Sequence, residues 1–228
     1  MYLGVSEIGK RSNFTKIEKD FYATIDPNAI PQAFVDAVRG EHFADTCYGN
    51  GDLEDRLTDI ATCVWRSDIR DTVGSSKVAD ALSITRGMLG DATSLIQNPP
   101  YTRATLYPLM DHWLSLGLPV WLLLPADMMH NVSFGKYMRQ CKEVISAGRL
   151  FWFVNTLVFG KPLRISEAPE WVHKKQMPTD FVKGVIEYTG YWDNTKGKPA
   201  KSKYTRGVEN HAWYCFMNTP TATIFKGR

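Results

Sequence analysis

The residue types best suited to a chemical task form the tetrapeptide Asn98-Pro99-Pro100-Tyr101. Two consecutive prolines cannot continue a β-ladder or enter a helix interior, so the chain must turn here in a rigid, extended way. Such a turn offers the Asn98 side-chain oxygen and the Pro99 carbonyl as convergent hydrogen-bond acceptors, with Tyr101 as a flat wall. These groups suit a planar amine, because they hold its N–H groups and leave the nitrogen lone pair pointing outward. An ordinary Pro-Pro turn is the alternative for so short a motif.

The elements that must position this loop alternate between strands and helices. Short apolar runs typical of strands occupy 41–44, 61–69, 94–97, 120–124, 150–154, 211–216 and 221–225. Helical spacing of apolar residues occupies 52–60, 106–116 and 134–147. This alternation predicts an α/β domain with a mainly parallel sheet. The loop at 98–101 then follows a strand at the carboxyl edge of the sheet, where α/β folds bind their ligands.

An upstream turn has the composition of a ligand-binding loop. Residues 45–51 read Asp-Thr-Cys-Tyr-Gly-Asn-Gly between a predicted strand and a predicted helix. Gly49 and Gly51 would let the backbone approach a ligand closely. The next strand ends at Asp68, whose carboxylate is placed to accept hydrogen bonds from ribose hydroxyls, unless it caps a helix or is simply solvated. Asp80 is a weaker candidate for contact with an adenine ring, because it could equally sit on a helix.

These segments together resemble the amino-methyltransferase family, and most of all the small adenine-N6 DNA methyltransferases of phages and prophages. The resemblance runs from the DFYAT segment at 20–24, through the glycine turn, Asp68, Asp80 and the NPPY tetrapeptide, to the HAWYCF segment at 211–216. It implies a doubly wound, Rossmann-like methyltransferase fold with a mostly parallel seven-stranded sheet and an antiparallel last strand. Residues 1–228 would form a single catalytic domain.

The resemblance also implies a role for each matching position. Contacts to S-adenosylmethionine are implied for Phe21, Tyr22, Thr24, Asp45, Cys47, Gly49, Gly51, Asp68, Asp80, Ala81 and Asn98. Asn98, Pro99, Pro100 and Tyr101 are implied as the catalytic residues that receive a flipped-out adenine. Tyr48 departs from the family pattern, which often has a small residue at that position.

The segment 161–206 interrupts the alternation with prolines, basic residues and aromatic residues, and we interpret it as a target-recognition insertion. Its candidate nucleic-acid contacts are Lys174, Lys175, Lys198, Lys201, Lys203 and Arg206. Lysine and arginine contacts to phosphates give affinity and salt dependence. The alternative for such a charge run is a solvated surface. DNA is the expected partner, with RNA as the alternative.

Composition limits the remaining possibilities. The net charge is only +3, so a nucleic-acid partner must be argued from where the basic residues lie rather than from their sum. The four cysteines are scattered, which argues against a zinc ribbon and suits a reducing compartment. No metal is expected. The longest apolar run, 116–129, is too short and too interrupted to span a bilayer. We expect a cytoplasmic protein, in the bacterial host if phage-encoded, with a monomer as the default.

Three other functions fit parts of the sequence. The NPPY loop also resembles that of enzymes that methylate adenine in RNA, and that of enzymes that methylate glutamine in release factors, because both substrates present a planar N–H group. The basic, aromatic insertion favours a nucleic acid. From a different class, the chain could be a non-catalytic protein that sequesters S-adenosylmethionine or covers a DNA site, although the intact NPPY loop counts against this.

Overall fold

A computed structural model describes Thr24 and residues 26–70, 77–150, 192–193, 198–199 and 209–227. Its strands are β1 (His42–Asp45), β2 (Thr62–Asp68), β3 (Lys77–Val78), β4 (Ser94–Gln97), β5 (Val120–Pro125), β6 (Cys141–Leu150), β7 (Trp192–Asp193), β8 (Lys198–Pro199), β9 (Glu209–Phe216) and β10 (Ile224–Lys226). Its helices are α1 (Gln32–Val38), α2 (Asp52–Leu57), α3 (Arg103–Ser115) and α4 (Gly135–Met138). Single 3-10 turns lie at Pro27–Ala29, Ala81–Ser83, Arg86–Leu89, Ala126–His130 and Val132–Phe134.

Eight of these strands form one sheet in the order β3-β2-β1-β4-β5-β9-β6-β10. Seven of them run in the same direction, and β9 alone runs antiparallel to its neighbours β5 and β6. The order reverses between β1 and β4, where the chain leaves one half of the sheet and starts the other. Crevices at such a reversal bind ligands in open α/β sheets.

Apolar side chains cover both faces of this sheet, as the near-continuous apolar runs of its central strands require. On one face, Leu122 and Leu124 pack with Leu106 and Trp113 of α3. On the other face, alternate strand residues pack with α1 and α2, and the ring of Phe34 stacks on Trp213 with centroids 4.0 Å apart. The predicted fold class, a doubly wound, Rossmann-like methyltransferase fold, is therefore confirmed. The described residues give its sheet eight strands rather than the expected seven.

The predicted helix at 134–147 is wrong over most of its length. Only Gly135–Met138 is helical, and Cys141–Leu150 forms the ten-residue strand β6. Val144 and Ile145 are both buried, and they lie opposite Tyr214 and Trp213 of β9. Their side chains are β-branched and apolar, which fits a strand covered on both faces. The pairing with the distant strand β9 therefore decides the conformation.

The other predicted elements agree with the structure to within a few residues at their ends, apart from the strands expected at 221–225 and 150–154. The strand expected at 221–225 forms at Ile224–Lys226. Of the strand expected at 150–154, Leu150 is the last residue of β6, and 151–154 lie outside the described residues. Of the segment 161–206, the described part is the antiparallel pair β7 and β8.

Candidate functional site

The carboxyl ends of β1, β2 and β4 surround a cavity of about 350 Å³. This volume is within the range of small-molecule sites, which starts at about 300 Å³. The residues implied for cofactor contact that line it are Thr24, Asp45, Cys47, Gly49, Asp68, Asp80, Ala81 and Asn98. Gly51 does not line the cavity, and Phe21 and Tyr22 lie outside the described residues.

The glycine turn forms one wall of the cavity because its backbone folds back under the end of β2. Gly49 and Gly51 have φ angles of 57° and 87°, in the left-handed region that glycine adopts without strain. The N–H of Gly49 donates to the Asp68 carboxylate at 2.9 Å. Gly51 is the N-cap residue that precedes α2, and it does not line the cavity.

Asp45 ends β1 at the bottom of the cavity, where it is almost completely buried. Its carboxylate accepts a hydrogen bond from the N–H of Cys47 at 2.9 Å. Burial raises the pKa of the Asp45 carboxyl to about 8, with a further contribution from the charge of Asp68. Burial and the same two carboxylates also raise the pKa of the Cys47 thiol, so this cysteine stays protonated and is a poor nucleophile.

Asp68 is held in place by backbone and side-chain donors. Besides the bond from Gly49, it accepts from the N–H of Arg70 at 2.9 Å and from the Arg70 Nε at 3.4 Å. The side chain is 8% exposed, and the residue lines the cavity. A carboxylate has about four acceptor positions, so a fixed Asp68 with an exposed edge can also bind ligand hydroxyls.

Asp80 combines both interpretations offered by the sequence. It precedes the 3-10 turn Ala81–Ser83, and its carboxylate accepts from the N–H of Leu82 at 2.9 Å. It also lines the cavity, next to the apolar side chains of Ala81 and Leu82. Capping therefore fixes the carboxylate at the cavity edge beside an apolar surface, an arrangement suited to the amine and the face of a planar ring.

The Asn98 loop forms the other side of the cavity, and its side chains form a hydrogen-bonded chain. The Nδ2 of Asn98 donates to the Oγ1 of Thr24 at 3.0 Å, and the Tyr101 hydroxyl donates to the Oδ1 of Asn98 at 2.7 Å. Asn98 and Pro100 line the cavity, whereas the buried Pro99 and the half-buried Tyr101 do not. The Tyr101 ring lies beside the buried ring of His211 on β9, with centroids 5.8 Å apart.

A buried polar network fixes the spacing of the two walls. The Oε1 of Gln97, the last residue of β4, accepts from the N–H of Thr46 at 3.1 Å and from its hydroxyl at 2.7 Å. The indole Nε1 of Trp113 on α3 donates to the same hydroxyl at 3.0 Å. Thr46, Gln97 and Trp113 therefore tie the glycine turn, the strand before Asn98 and the helix after it into one unit.

Tyr48, the departure from the family pattern, is a buried part of the cavity wall. Its hydroxyl donates to the Oε2 of Glu54 at 2.6 Å, and Arg66 of β2 forms an ion pair with the same carboxylate. The bulky Tyr48 ring thus stands where the family pattern often has a small residue, and its hydroxyl joins the glycine turn to α2 and β2.

Sequence reasoning missed part of the lining. The additional lining residues are Thr46, Tyr48, Asn50, Asp52, Leu53, Ile69, Arg70, Leu82, Ala104, Thr105, Pro108 and Leu109. The last four lie on one face of α3, at spacings of one, four and five residues, and the helix predicted at 106–116 was a signal for Pro108 and Leu109 alone. Arg70 had no such signal.

Several expectations lie beyond the described residues. The structure does not describe the side chains of Lys174, Lys175, Lys198, Lys201, Lys203 and Arg206.

Within the ranges that are described, no group of three or more His, Cys, Asp or Glu side chains could hold a metal ion. In the same ranges, no helix has the length and apolar character needed to cross a membrane.

No family model matches the chain, and no curated protein matches it. Solved structures similar to it include a protein of Thermoplasma acidophilum, at 13% sequence identity and a TM-score of 0.43, with 82% of this chain and 81% of that one covered. They also include the Dnmt2 methyltransferase of S. pombe, at 12% identity and a TM-score of 0.41, with 82% of this chain and 52% of that one covered. The chain spans about half the length of the Dnmt2 methyltransferase.

Proposed function

We propose that this protein transfers a methyl group from S-adenosylmethionine to the N6 amine of adenine in DNA. The observation that carries the proposal is the Thr24–Asn98–Tyr101 hydrogen-bonded chain at the edge of an acidic cavity. It joins a pocket suited to a cationic nucleoside to a loop suited to a planar amine. Methyl transfer requires that these two ligands meet.

The charge of the cavity fits S-adenosylmethionine, which carries a sulfonium, an ammonium and one carboxylate. Four aspartates line the cavity: Asp45, Asp52, Asp68 and Asp80. Among its described lining residues, Arg70 is the single basic one, and it is bound to Asp68. Burial raises the pKa of Asp45 to about 8, so the negative potential of the cavity comes from the other three aspartates, which outnumber Arg70 and favour a ligand with net positive charge.

Each end of the cavity suits a different part of the same molecule. Asp68 is the acceptor for the ribose hydroxyls, and Asp80 with Ala81 and Leu82 offers an edge and an apolar face to the adenine ring. Asp45 and the glycine turn lie at the opposite wall, where the methionine part would bind. Thr24 is shared, because it faces the cavity and accepts the bond from Asn98.

S-adenosylmethionine brings an activated methyl group, so the protein has to bind and orient the amine rather than activate it. Asn98 Oδ1 and the Pro99 carbonyl hold the amine N–H groups and stabilise the positive charge that develops on its nitrogen. Tyr101 stacks on the base, and its hydroxyl bond to Asn98 fixes the plane of the amide. The amine nitrogen would form its bond to the methyl carbon as the sulfur–methyl bond breaks, with the electron pair staying on sulfur and S-adenosylhomocysteine leaving. The surplus proton of the methylated amine would then pass to water.

DNA is proposed as the substrate because of the basic and aromatic residues in 161–206, which follow the site in the sequence. An adenine inside a duplex is out of reach of such a pocket and would have to be flipped out. Methylation of adenine in RNA and of glutamine in protein uses the same loop chemistry.

Parallel transfer assays separate these substrates. The protein is incubated with methyl-labelled S-adenosylmethionine and unmethylated DNA, total RNA or a protein extract, and the labelled product is identified. Label as N6-methyladenine in DNA supports the proposal. Label in RNA or protein instead would overturn the substrate, and S-adenosylmethionine binding without transfer to any of the three would identify a sequestering protein.

A further inference from the structure

A rigid turn lies next to the Asn98 loop and has no role in the site described above. It comprises Asn131–Ser133 and follows β5, whose carboxyl end is adjacent to that of β4. The turn and the Asn98 loop therefore leave the same edge of the sheet. Helix α3 begins two residues after Tyr101 and runs beside both.

Two side chains of α3 hold this turn from either side. The Nη2 of Arg103 donates to the Oδ1 of Asn131 at 2.9 Å, and the hydroxyls of Tyr107 and Ser133 lie 2.8 Å apart in a hydrogen bond. The next residue, Phe134, is fully buried. Arg103 and Tyr107 are one helical turn apart, so they fix both ends of a three-residue segment.

Val132 stands at the apex of this segment with its side chain 98% exposed. A single exposed apolar residue is ordinary on a protein surface. Here, however, both of its neighbours are bonded to the helix that continues from the Asn98 loop, so Val132 projects in a fixed direction. A β-branched side chain also has few rotamers, which makes the projection stiffer.

Arg103 places positive charge beside this apex. Its bonding partner is the neutral amide of Asn131, and within the described part of the chain no carboxylate forms an ion pair with it. It is also the first residue of α3, where the partial charge of the helix end is positive. The neighbouring cation Lys136, by contrast, is neutralised by Asp111 at 2.9 Å.

We propose that this turn contacts duplex DNA beside the target adenine: Arg103 binds a backbone phosphate, and Val132 packs against the base stack where the adenine has left it. The inference rests on the proposed function. An apolar wedge compensates for the stacking lost when a base is flipped, and an arginine whose described partner is a neutral amide keeps its charge for a phosphate, which gives affinity and register. Asn131 and Ser133 keep the wedge and the cation at a constant distance from the Asn98 loop.

The test uses the full-length protein and an unmethylated, mixed-sequence DNA duplex. Val132→Asp and Arg103→Ala are compared with Ile224→Asp and Arg39→Ala, which change an exposed residue of the same type at β10 and after α1. We expect both turn variants to raise the KM for DNA at least about fivefold, and Arg103→Ala to reduce the salt slope of DNA binding by about 1. The dissociation constant for S-adenosylmethionine should stay within twofold.

Wild-type protein and Val132→Ile serve as the two references for this test. Val132→Ile keeps the wedge and should retain wild-type KM, which separates loss of a contact from loss of folding. If the wild type methylates DNA but the turn variants match the two controls, the inference fails and the proposed function stands. If the wild type methylates RNA or protein instead of DNA, both fail.

Discussion

The side-chain amide of Asn98 donates to the hydroxyl of Thr24 across 3.0 Å, joining two residues separated by 74 positions in the sequence. Thr24 belongs to the cavity wall and Asn98 to the loop proposed to hold the target amine. This bond and the one from Tyr101 together leave the amide plane with a single orientation. The orientation of the Asn98 amide in its loop thus depends on Thr24, a residue of the cavity wall.

Removing the Thr24 hydroxyl should impair turnover more than cofactor binding. Thr24→Val keeps the shape of the side chain but leaves the Asn98 Nδ2 without this acceptor; the loss costs about 1–3 kcal/mol for a buried donor, and the lower end of this range applies to the half-buried Asn98. We expect kcat to fall about tenfold or more, with the dissociation constant for S-adenosylmethionine changed less than threefold. Thr24→Ser, which keeps the hydroxyl, is the control. Equal kcat values for the valine and serine variants would remove this bond from the mechanism.

Asp68 should contribute mainly to cofactor affinity. Hydrogen bonds to a charged group are worth about 1.5–3 kcal/mol, so Asp68→Ala should weaken S-adenosylmethionine binding about 10- to 100-fold in isothermal titration. Asp91→Ala, at an exposed aspartate paired with His42 on the surface, provides the matched control. Since Asp68 also accepts from Gly49 and Arg70, thermal unfolding of each variant checks that the turn is intact. Unchanged affinity would take Asp68 out of the site.

Asp45 should make the stability of the free protein fall as pH rises. Its pKa is raised from 3.8 to about 8, so between these values the native state keeps a proton that the unfolded chain releases. The free energy of unfolding then declines by up to about 1.4 kcal/mol per pH unit through that window and levels off above pH 8. Urea unfolding at pH 5 and pH 8 should show a smaller decline for Asp45→Asn than for the wild type. Parallel declines would contradict a buried, protonated Asp45.

The basic insertion should determine the salt dependence of DNA binding. Reversing two charges, with Lys201→Glu and Lys203→Glu, should flatten the plot of log affinity against log salt concentration by about 2 or more, because each lost phosphate contact lowers the slope by about one. Fluorescence anisotropy with a labelled duplex measures this slope. A slope equal to that of the wild type would make the insertion a solvated surface.

The alternation of strands and helices was predictable because buried parallel strands are continuous apolar runs, and Val120–Pro125 is one of them. The strand β6 was not predictable, because its apolar spacing also fits a helix, and the strand β9 that pairs with it is distant in the sequence. Local pattern cannot decide between two conformations when a distant partner supplies the hydrogen bonds.

The candidate site was predictable where it depends on strand ends. Asp45 and Asp68 end adjacent parallel strands, so their approach follows from the order of the sheet. The tertiary partners were not predictable: Arg70 on Asp68, and Glu54 on the Tyr48 hydroxyl, depend on how loops fold back after each strand. The size of Tyr48 suggested altered contacts with the cofactor. In the structure its hydroxyl instead binds Glu54 and anchors the glycine turn to α2.

The central claim is tested most directly by the adenine of DNA from cells that make the protein. A bacterial host lacking its own adenine methylation is given the wild-type protein or Asn98→Ala at equal levels, and its DNA is digested and analysed for N6-methyladenine. N6-methyladenine with the wild type and its loss by at least about a hundredfold with Asn98→Ala is the predicted result. Equal amounts of N6-methyladenine with both proteins, or none with the wild type, would contradict the account.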